Sequence, residues 1–368
     1  MKLSEIPTPA LLIDVPAMQR NIERMAEFFA EGQCKLRPHF KAHKTPEIAR
    51  RQLAAGSCSG LTCATVDEAE VVAAEGLTDD VLIANQVVGP GKAARVATLA
   101  ASADFDIKVA VDSEAGLADL AQAARAAGVE IGVLVDVNVG LPRCGIAHGE
   151  PALALARNVE ETEGVTLRGL MGYEGHVVAI EDRAEREART AKAMSRLLET
   201  AQLLREDGLP CDIVSAGGTG TYDITGRMEG ITEIQAGSYV LMDSAYAKLD
   251  IPFEQAFSVL GTVLSRPKPE LCAADNGHKA CSQDHGNPDV KGVDGASVLF
   301  LSDEHATITL PPESTVAVGD RIELWPSHID PTINLHDVLY AIEGGEVAGV
   351  WPITARGYTE QRRQTHLA

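Results

Sequence analysis

Lys41 lies in a short basic segment, RPHFKAHK (37–44), whose residue types could support amine chemistry. An ammonium group that is crowded by positive charge and partly removed from water has a lowered pKa, and its amine can then form Schiff bases. Such charges lie close to Lys41 in the sequence at Arg37, His39, His43 and Lys44. The alternative is a solvated basic face, where most lysine clusters belong. This segment alone supports both interpretations equally.

Two turns of small residues could hold a phosphate group. In SAGGTGTY, backbone N–H groups and hydroxyls follow an apolar run, where a phosphate can approach them closely. A single turn of this kind is more often an ordinary connection between a strand and a helix. A second turn, AGSY, follows the next apolar run, and the pair favours a phosphate site. The candidate residues are Gly217, Gly218, Thr219, Gly237, Ser238 and Tyr239.

His328 and Asp330 form a candidate metal pair. Residues i and i+2 of a β-strand face the same side, so an imidazole and a carboxylate with this spacing could coordinate one divalent cation. Without further context, two solvent-facing polar residues on a strand are the more common case. The assignment of His328 and Asp330 as metal ligands therefore depends on the sequence around them.

The elements that must position these residues are repeated strand–helix units. Short β-branched runs alternate with Ala-rich amphipathic stretches over the first two thirds of the chain, which is typical of a parallel sheet. Eight candidate strands favour a closed (β/α)8 TIM barrel over an open doubly wound sheet, since no G-x-G-x-x-G follows the first strand. The candidate strands lie near 36–40, 60–64, 81–85, 107–111, 131–137, 167–173, 212–216 and 233–240.

In such a barrel the active site lies at the carboxyl ends of the strands. Lys41 ends the first candidate strand, and Arg143 lies in the segment after the fifth. Tyr173 and His176 follow the sixth, and the two small-residue turns belong to the seventh and eighth. The sequence therefore gathers every barrel candidate at one edge.

From about residue 250 the Ala-rich segments give way to strand-like runs such as HATITL and RIELWPS, separated by turn residues. We expect a barrel domain over 8–248 and a β-rich domain over 249–368 that carries the metal pair. Residues 1–7 are expected to pack with the second domain. The polar tail after Tyr358 is expected to be partly disordered.

Composition narrows the classes of function. The chain has 368 residues, 45% of them hydrophobic, so it can bury a full core. Its net charge of −21 disfavours binding to nucleic acid or anionic lipid. The start lacks the features of a signal peptide, no long apolar span is present, and the seven cysteines are scattered. We expect a cytoplasmic protein with no membrane or nucleic-acid partner.

Taken together, the motifs resemble those of the pyridoxal-phosphate enzymes of fold type III, to which the alanine racemases belong. The resemblance is greatest to the branch of D-threonine aldolases and eukaryotic-type D-serine dehydratases, and it extends over almost the whole chain. The motifs that carry it are TPALLID (8–14), RPHFKAHK (37–44), GYEGH (172–176), GGTGTY (217–222), QAGSYVLMD (235–243) and PSHIDPTINLHD (326–337).

The resemblance implies roles for the candidate residues. Lys41 would hold pyridoxal 5'-phosphate covalently, and Arg143 would approach the phenolate oxygen of its ring. The two small-residue turns would bind its phosphate, while Tyr173 and His176 would line the site. His328 and Asp330 would hold a divalent metal. Because Asp330 stands where the dehydratases usually have a cysteine, Mn²⁺ or Mg²⁺ is favoured over Zn²⁺.

The implied reaction is cleavage of a D-β-hydroxy amino acid to glycine and an aldehyde, with His176 or a metal-bound hydroxide as base. The alternative is dehydration of D-serine or a 3-hydroxy-D-amino acid to a keto acid and ammonia. A racemase would have no use for the metal pair, and a non-catalytic cofactor carrier would not need a β-rich domain. A homodimer is expected from the fold.

A second polar segment, DNGHKACSQDHG (275–286), contains His278, Cys281 and His285. It offers no evident fourth zinc ligand, and it resembles the loop of the family that closes over the site. We interpret it as a substrate-contact or structural loop. His336 and Asp337 are the candidates for partners that orient the metal ligands.

Overall fold

The structure is a computed structural model that describes residues 2–102 and 104–358. The polar tail after Tyr358 lies outside the described residues. Within these ranges, strands β1 to β18 run in chain order over Ala10–Asp14, Lys35–Leu36, Leu61–Cys63, Asp80–Gln86, Asp106–Val111, Ile131–Asn138, Ile146–Ala147, Val165–Gly172, Ile213–Ala216, Glu233–Ile234, Phe257–Lys268, Leu271–Ala274, Asp289–Lys291, Ser297–Leu301, Ala306–Thr309, Arg321–Trp325, Val338–Glu343 and Glu346–Pro352. Helices α1 to α9 run over Val15–Phe28, Pro46–Ala54, Val66–Ala74, Pro90–Ala100, Glu114–Ala127, Glu150–Glu160, Arg183–Glu206, Tyr222–Thr225 and Ile329–Ile333.

The chain divides into two compact units. Among the described residues, the barrel unit consists of 25–41 and 49–237, and the strand-rich unit consists of 2–24, 42–48 and 238–358. As a domain boundary, the junction between 248 and 249 stays a prediction.

The barrel unit is built on eight parallel strands in the order β2-β10-β9-β8-β6-β5-β4-β3. Parallel bridges from Leu36 to Cys58 and from His39 to Thr62 join the two ends of this order and close the sheet. Every residue of β6 except the last is buried, as expected for parallel strands that are covered on both faces. The predicted (β/α)8 fold is confirmed.

The last barrel strand is shorter than predicted. The sequence predicts a strand near 233–240, but β10 ends at Ile234, and Ser238–Val240 form a 3-10 turn. The N–H groups of Leu241 and Met242 donate to the carbonyl oxygen of Ser238, so the backbone is satisfied locally rather than by a neighbouring strand. The turn AGSY therefore lies beyond the sheet.

A buried ionic network crosses the barrel unit near the amino ends of β4 and β10. The Arg37 guanidinium, 2% exposed, lies 2.6 Å from an oxygen of Asp80 and 2.8 Å from one of Glu233. Lys108 on β5 lies 2.8 Å from the same Asp80 carboxylate. Each buried cation thus has a carboxylate partner, without which its burial would be unfavourable.

The strand-rich unit is a sheet in the order β14-β15-β12-β11-β1-β17-β18, with β16 paired to β11 and β13 to β16. Strand β1 lies between β11, to which it is antiparallel, and β17, to which it is parallel. The runs HATITL and RIELWPS form β15 and β16 as predicted. Among the described residues, no helix has both the length and the apolar character that crossing a membrane requires.

Candidate active site

The segment of Lys41 follows β2 and forms a 3-10 turn, Phe40–Ala42. The N–H of His39 donates to the carbonyl oxygen of Ala236 at 3.1 Å, so this segment lies beside the residue that precedes Gly237. The predicted crowding of Lys41 by positive charge does not include Arg37. That guanidinium is neutralised by Glu233 and Asp80 in the buried ionic network.

Three predicted site residues come together after β6, β8 and β9. The guanidinium carbon of Arg143 lies 5.4 Å from the ring centroid of Tyr173, which is cation–π distance. Tyr173 directly follows β8, and its ring lies against Gly218. A Cβ atom on Gly218 would be only 3.3 Å from Cε2 of Tyr173, so glycine allows this close approach. The arrangement leaves a cationic group and an aromatic hydroxyl next to the glycine-rich turn.

Glu174 anchors that turn, a role which the sequence analysis missed. Its fully buried carboxylate accepts the N–H of Gly217 at 3.1 Å and the hydroxyls of Thr221 and Thr225 at 2.8 and 2.7 Å. Gly217 has a φ of +75°, in the region that favours glycine. The N–H of Gly217 is therefore hydrogen-bonded to Glu174, while Thr219 lies buried within the turn.

His176 lies against the backbone of Gly140 in the segment after β6. A Cβ atom on Gly140 would be 2.9 Å from Nε2 of His176, and Gly140 has a φ of +137°. Burial lowers the pKa of His176, the positive charges of Arg189 and Arg196 lower it further, and the charge of Glu174 opposes them. Within residues 2–102 and 104–358, no group hydrogen-bonds to its buried Nδ1. The lowered pKa favours the neutral imidazole, which is the form that can accept a proton.

Asp136, at the end of β6, is a second carboxylate that the sequence analysis missed. Burial raises its pKa to about 6; a hydrogen bond from Gln86 at 2.6 Å and the charge of Arg143 oppose this shift, and the charge of Asp112 adds to it. A perturbed carboxyl among such partners is typical of functional sites. No signal in the sequence distinguished it from an ordinary strand-end aspartate.

Ser238 and Tyr239 belong to the strand-rich unit, in the 3-10 turn beyond β10. The ring of Tyr239 is completely buried, with its centroid 5.6 Å from that of Phe253. Ser238 is half-buried. Packing against Phe253 fixes the turn from its apolar side.

His328 and Asp330 do not lie on a strand, so that part of the prediction is wrong. His328 has extended dihedral angles and is the N-cap of α9, and Asp330 is the second residue of this helix. A carboxylate is favourable in the first helical turn, and Pro331 is tolerated there because its missing N–H is not needed. The corner still places Nε2 of His328 3.7 Å from an oxygen of Asp330.

The segment 275–286 contributes two further groups beside His328. Nδ1 of His328 lies 2.6 Å from an oxygen of Asp284, and the rings of His285 and His328 stack at a centroid distance of 4.0 Å. Three ligand-type atoms of Asp284, His285 and His328 lie within 4.8 Å of one another. His278 is exposed and outside this group, while burial raises the pKa of Cys281 to about 12, which keeps it a thiol.

The predicted orienting role of His336 and Asp337 is wrong. Nε2 of His336 contacts the carbonyl oxygen of Ala280 at 2.8 Å, and Asp337 pairs with Arg356. The backbone of α9 is held instead by Asp243, a buried carboxylate that accepts the N–H of Ile329 at 3.4 Å. These partners are distant in sequence, which is why the motif alone did not reveal them.

Comparison with known families gives two matches that together span most of the chain. The family described as "Alanine racemase, N-terminal domain" matches residues 13–245, and the one described as "Putative serine dehydratase domain" matches residues 256–342.

Three characterised proteins are similar over nearly their whole length. D-threonine aldolase of Arthrobacter sp is 39% identical, covering 97% of this chain and 94% of that protein. The 3-hydroxy-D-aspartate aldolase of Paracoccus denitrificans (strain Pd 1222) is 34% identical, with 97% and 94% covered. The D-threo-3-hydroxyaspartate dehydratase of Delftia sp. (strain HT23) is 32% identical, with 89% and 91% covered.

Two solved structures are also similar to this chain over nearly its whole length. The crystal structure of D-threonine aldolase from Filomicrobium marinum matches with a TM-score of 0.94 at 38% identity, covering 97% of this chain and 98% of that chain. A cysteine-to-alanine mutant of D-threo-3-hydroxyaspartate dehydratase in the metal-free form matches with a TM-score of 0.88 at 28% identity, covering 97% and 99%.

The fold and these matches define the class, a pyridoxal-phosphate enzyme of fold type III. Within that class, the chain belongs to the family of D-threonine aldolases and D-serine dehydratases. The predictions of family, fold class and lyase chemistry are confirmed.

Proposed function

We propose that this protein cleaves D-β-hydroxy amino acids to glycine and an aldehyde, using pyridoxal 5'-phosphate and a divalent cation. The observation that carries the proposal is the pairing of an imidazole, His328, with a carboxylate, Asp330, at 3.7 Å. It occurs in a chain 39% identical to a D-threonine aldolase.

The barrel unit offers groups that fit the cofactor. The glycine-rich turn, fixed by Glu174, offers a cradle at Gly218 that any larger residue would fill. Arg143 would meet the phenolate oxygen of the ring, and Lys41 would carry the cofactor covalently. The phosphate is assigned to Gly217, Gly218, Thr219, Gly237, Ser238 and Tyr239. Bound at this position, pyridoxal phosphate withdraws electrons from the substrate α-carbon.

The donors of His328 and Asp330 fit a divalent cation. Two ligands of one ion, each about 2.0–2.2 Å from it, lie roughly 3 to 4 Å apart, which agrees with the observed 3.7 Å. Such an ion lowers the pKa of a hydroxyl that it binds. The hard carboxylate oxygen favours Mn²⁺ or Mg²⁺, with Zn²⁺ as the alternative.

His176 is the residue to accept the proton of the β-hydroxyl. As this proton leaves, the Cα–Cβ bond breaks, the β-carbon departs as an aldehyde, and protonation at the α-carbon gives glycine. The role is supported by the lowered pKa of His176, which favours the neutral imidazole, and by its Nδ1, which has no hydrogen-bond partner among the described residues.

The second candidate is dehydration to a keto acid and ammonia, favoured by the 32% identity to D-threo-3-hydroxyaspartate dehydratase. Product analysis separates the two reactions. The loaded protein is incubated with D-threonine, its L-enantiomer and other D-β-hydroxy acids, with and without Mn²⁺. We expect glycine and aldehyde from D-substrates with Mn²⁺, whereas keto acid as the sole product would reject the retro-aldol reaction.

The proposal includes a cytoplasmic location and a homodimer. The dimer rests on family resemblance, and light scattering on the purified protein measures it directly. A mass near the 39.0 kDa of one chain would contradict it.

A further inference from the structure

The two ring nitrogens of His328 have different neighbours. Nδ1 lies 2.6 Å from Oδ2 of Asp284, and Nε2 lies 3.7 Å from Oδ2 of Asp330. A carboxylate accepts hydrogen bonds, so the hydrogen of the neutral ring is on Nδ1. The lone pair is then on Nε2, on the side of Asp330. Nε2 of His328 can therefore bind a cation, whereas Nδ1 cannot.

Both oxygens of Asp284 are engaged within the protein. Oδ1 accepts the hydroxyl of Ser282 at 2.6 Å, and Oδ2 faces His328. The N–H of Ser282 donates to Thr332 at 3.1 Å, and the hydroxyl of Thr332 donates to the carbonyl oxygen of His328 at 2.8 Å. The carboxylate is thus fixed to the corner of α9 through two independent paths. Direct binding of a cation would cost it one of these hydrogen bonds.

His285 does not complete a second ligand set. Its ring is stacked on that of His328 with planes 5° apart and centroids 4.0 Å apart. An imidazole binds a metal through a lone pair in the plane of its ring, about 2.0–2.1 Å from the ion. An ion in the plane of one ring would lie well outside the plane of the other. The proximity of Asp284, His285 and His328 therefore does not amount to a three-ligand site.

We propose that Asp284 is a positioning residue for the cation site. It accepts the Nδ1 hydrogen of His328, which fixes the tautomer and directs Nε2 towards the ion, and Ser282 holds it in place. The inference rests on the proposed function, because that function assigns the ion to His328 and Asp330. Outer carboxylates of this kind raise the basicity of the ligand and set its orientation.

The test is a titration of the pyridoxal-phosphate-loaded protein with Mn²⁺. Binding is measured by calorimetry and by electron paramagnetic resonance. Asp284→Ala should raise the Kd for Mn²⁺ by about 10- to 100-fold while keeping one ion per chain. Asp284→Asn should recover most of the affinity, because its carbonyl oxygen can still accept the Nδ1 hydrogen. Asp294→Ala, which removes an exposed carboxylate of the same unit, is the matched control and should leave the Kd unchanged.

The nitrogen coupling of bound Mn²⁺ reports whether the imidazole of His328 still binds the ion. It should persist in Asp284→Ala and disappear with the ion in His328→Ala. An unchanged Kd in Asp284→Ala, or loss of the ion in Asp284→Asn equal to that in His328→Ala, would overturn the inference. Absence of bound Mn²⁺ in the wild type would overturn the cation site itself. Should Asp284→Ala misfold, Ser282→Ala provides the second variant, with an expected loss of several-fold and an unchanged Kd again counting against the role.

Discussion

Lys41 is the amine on which the proposed chemistry depends. Lys41→Ala should abolish the visible absorption of the lysine-bound cofactor and lower turnover by roughly 10⁴-fold, because a covalent and acid–base group is lost. Borohydride reduction of the wild type followed by peptide mass analysis should find the cofactor on Lys41. The matched control is Lys92→Ala, which removes an exposed lysine on α4. A cofactor label retained in Lys41→Ala would show that another amine carries it.

The pH profile of kcat/KM should reveal His176 as a base. Burial and the charges of Arg189 and Arg196 lower its pKa, so the imidazole stays neutral to a lower pH than an ordinary histidine. Activity that needs the neutral form should therefore decline only below about pH 6.5. Arg189→Ala removes one of these charges, raises the pKa of His176, and should move the acidic limb to higher pH.

The control for this shift is on the same helix. Arg205 lies 16 residues from Arg189, or about 24 Å along α7, well beyond the range of charge effects in physiological salt. Arg205→Ala should leave the limb in place. If the limb moved equally in both variants, or in neither, His176 would not be the group that titrates.

At the scale of elements, the glycine-rich turn depends on Glu174. Glu174→Ala removes the acceptor of one buried N–H and two hydroxyls, each of which costs about 1–3 kcal/mol when left unsatisfied. We expect the Kd for pyridoxal phosphate to rise by roughly 10-fold or more, measured by fluorescence titration. Glu174→Gln should keep part of the affinity. Glu187→Ala, an exposed carboxylate on α7, is the control, and an unaltered Kd in Glu174→Ala would contradict the anchoring role.

The elements themselves were largely evident in the sequence. Parallel strands covered on both faces, such as Ile131–Asn138, give continuous apolar runs that differ clearly from amphipathic helices. The corner at His328 was misassigned because a short polar segment with two prolines carries no periodicity. The partners of Glu174 and Asp284 were missed because they lie far away along the chain. Asp284, for example, is 44 residues from His328.

At the scale of the whole molecule, the buried ionic network should contribute strongly to stability. Arg37→Ala leaves Glu233, 3% exposed, without its cationic partner, and we expect about 3–5 kcal/mol less free energy of unfolding. Urea titration followed by circular dichroism measures the change. Arg20→Ala breaks an exposed pair with Glu254, which water screens, and should change the free energy of unfolding far less. Equal losses in the two variants would argue against a special role for the buried network.

The placement of β1 has a consequence for how the protein is made. Leu11 pairs with Leu339, which leaves the ribosome roughly 330 residues later. At about 5–20 residues per second, the ALLID segment waits on the order of 15 to 65 s for its partner, and its other neighbour, β11, also comes late. During translation this apolar strand therefore lacks both neighbours of its sheet until β11 and β17 have been synthesised.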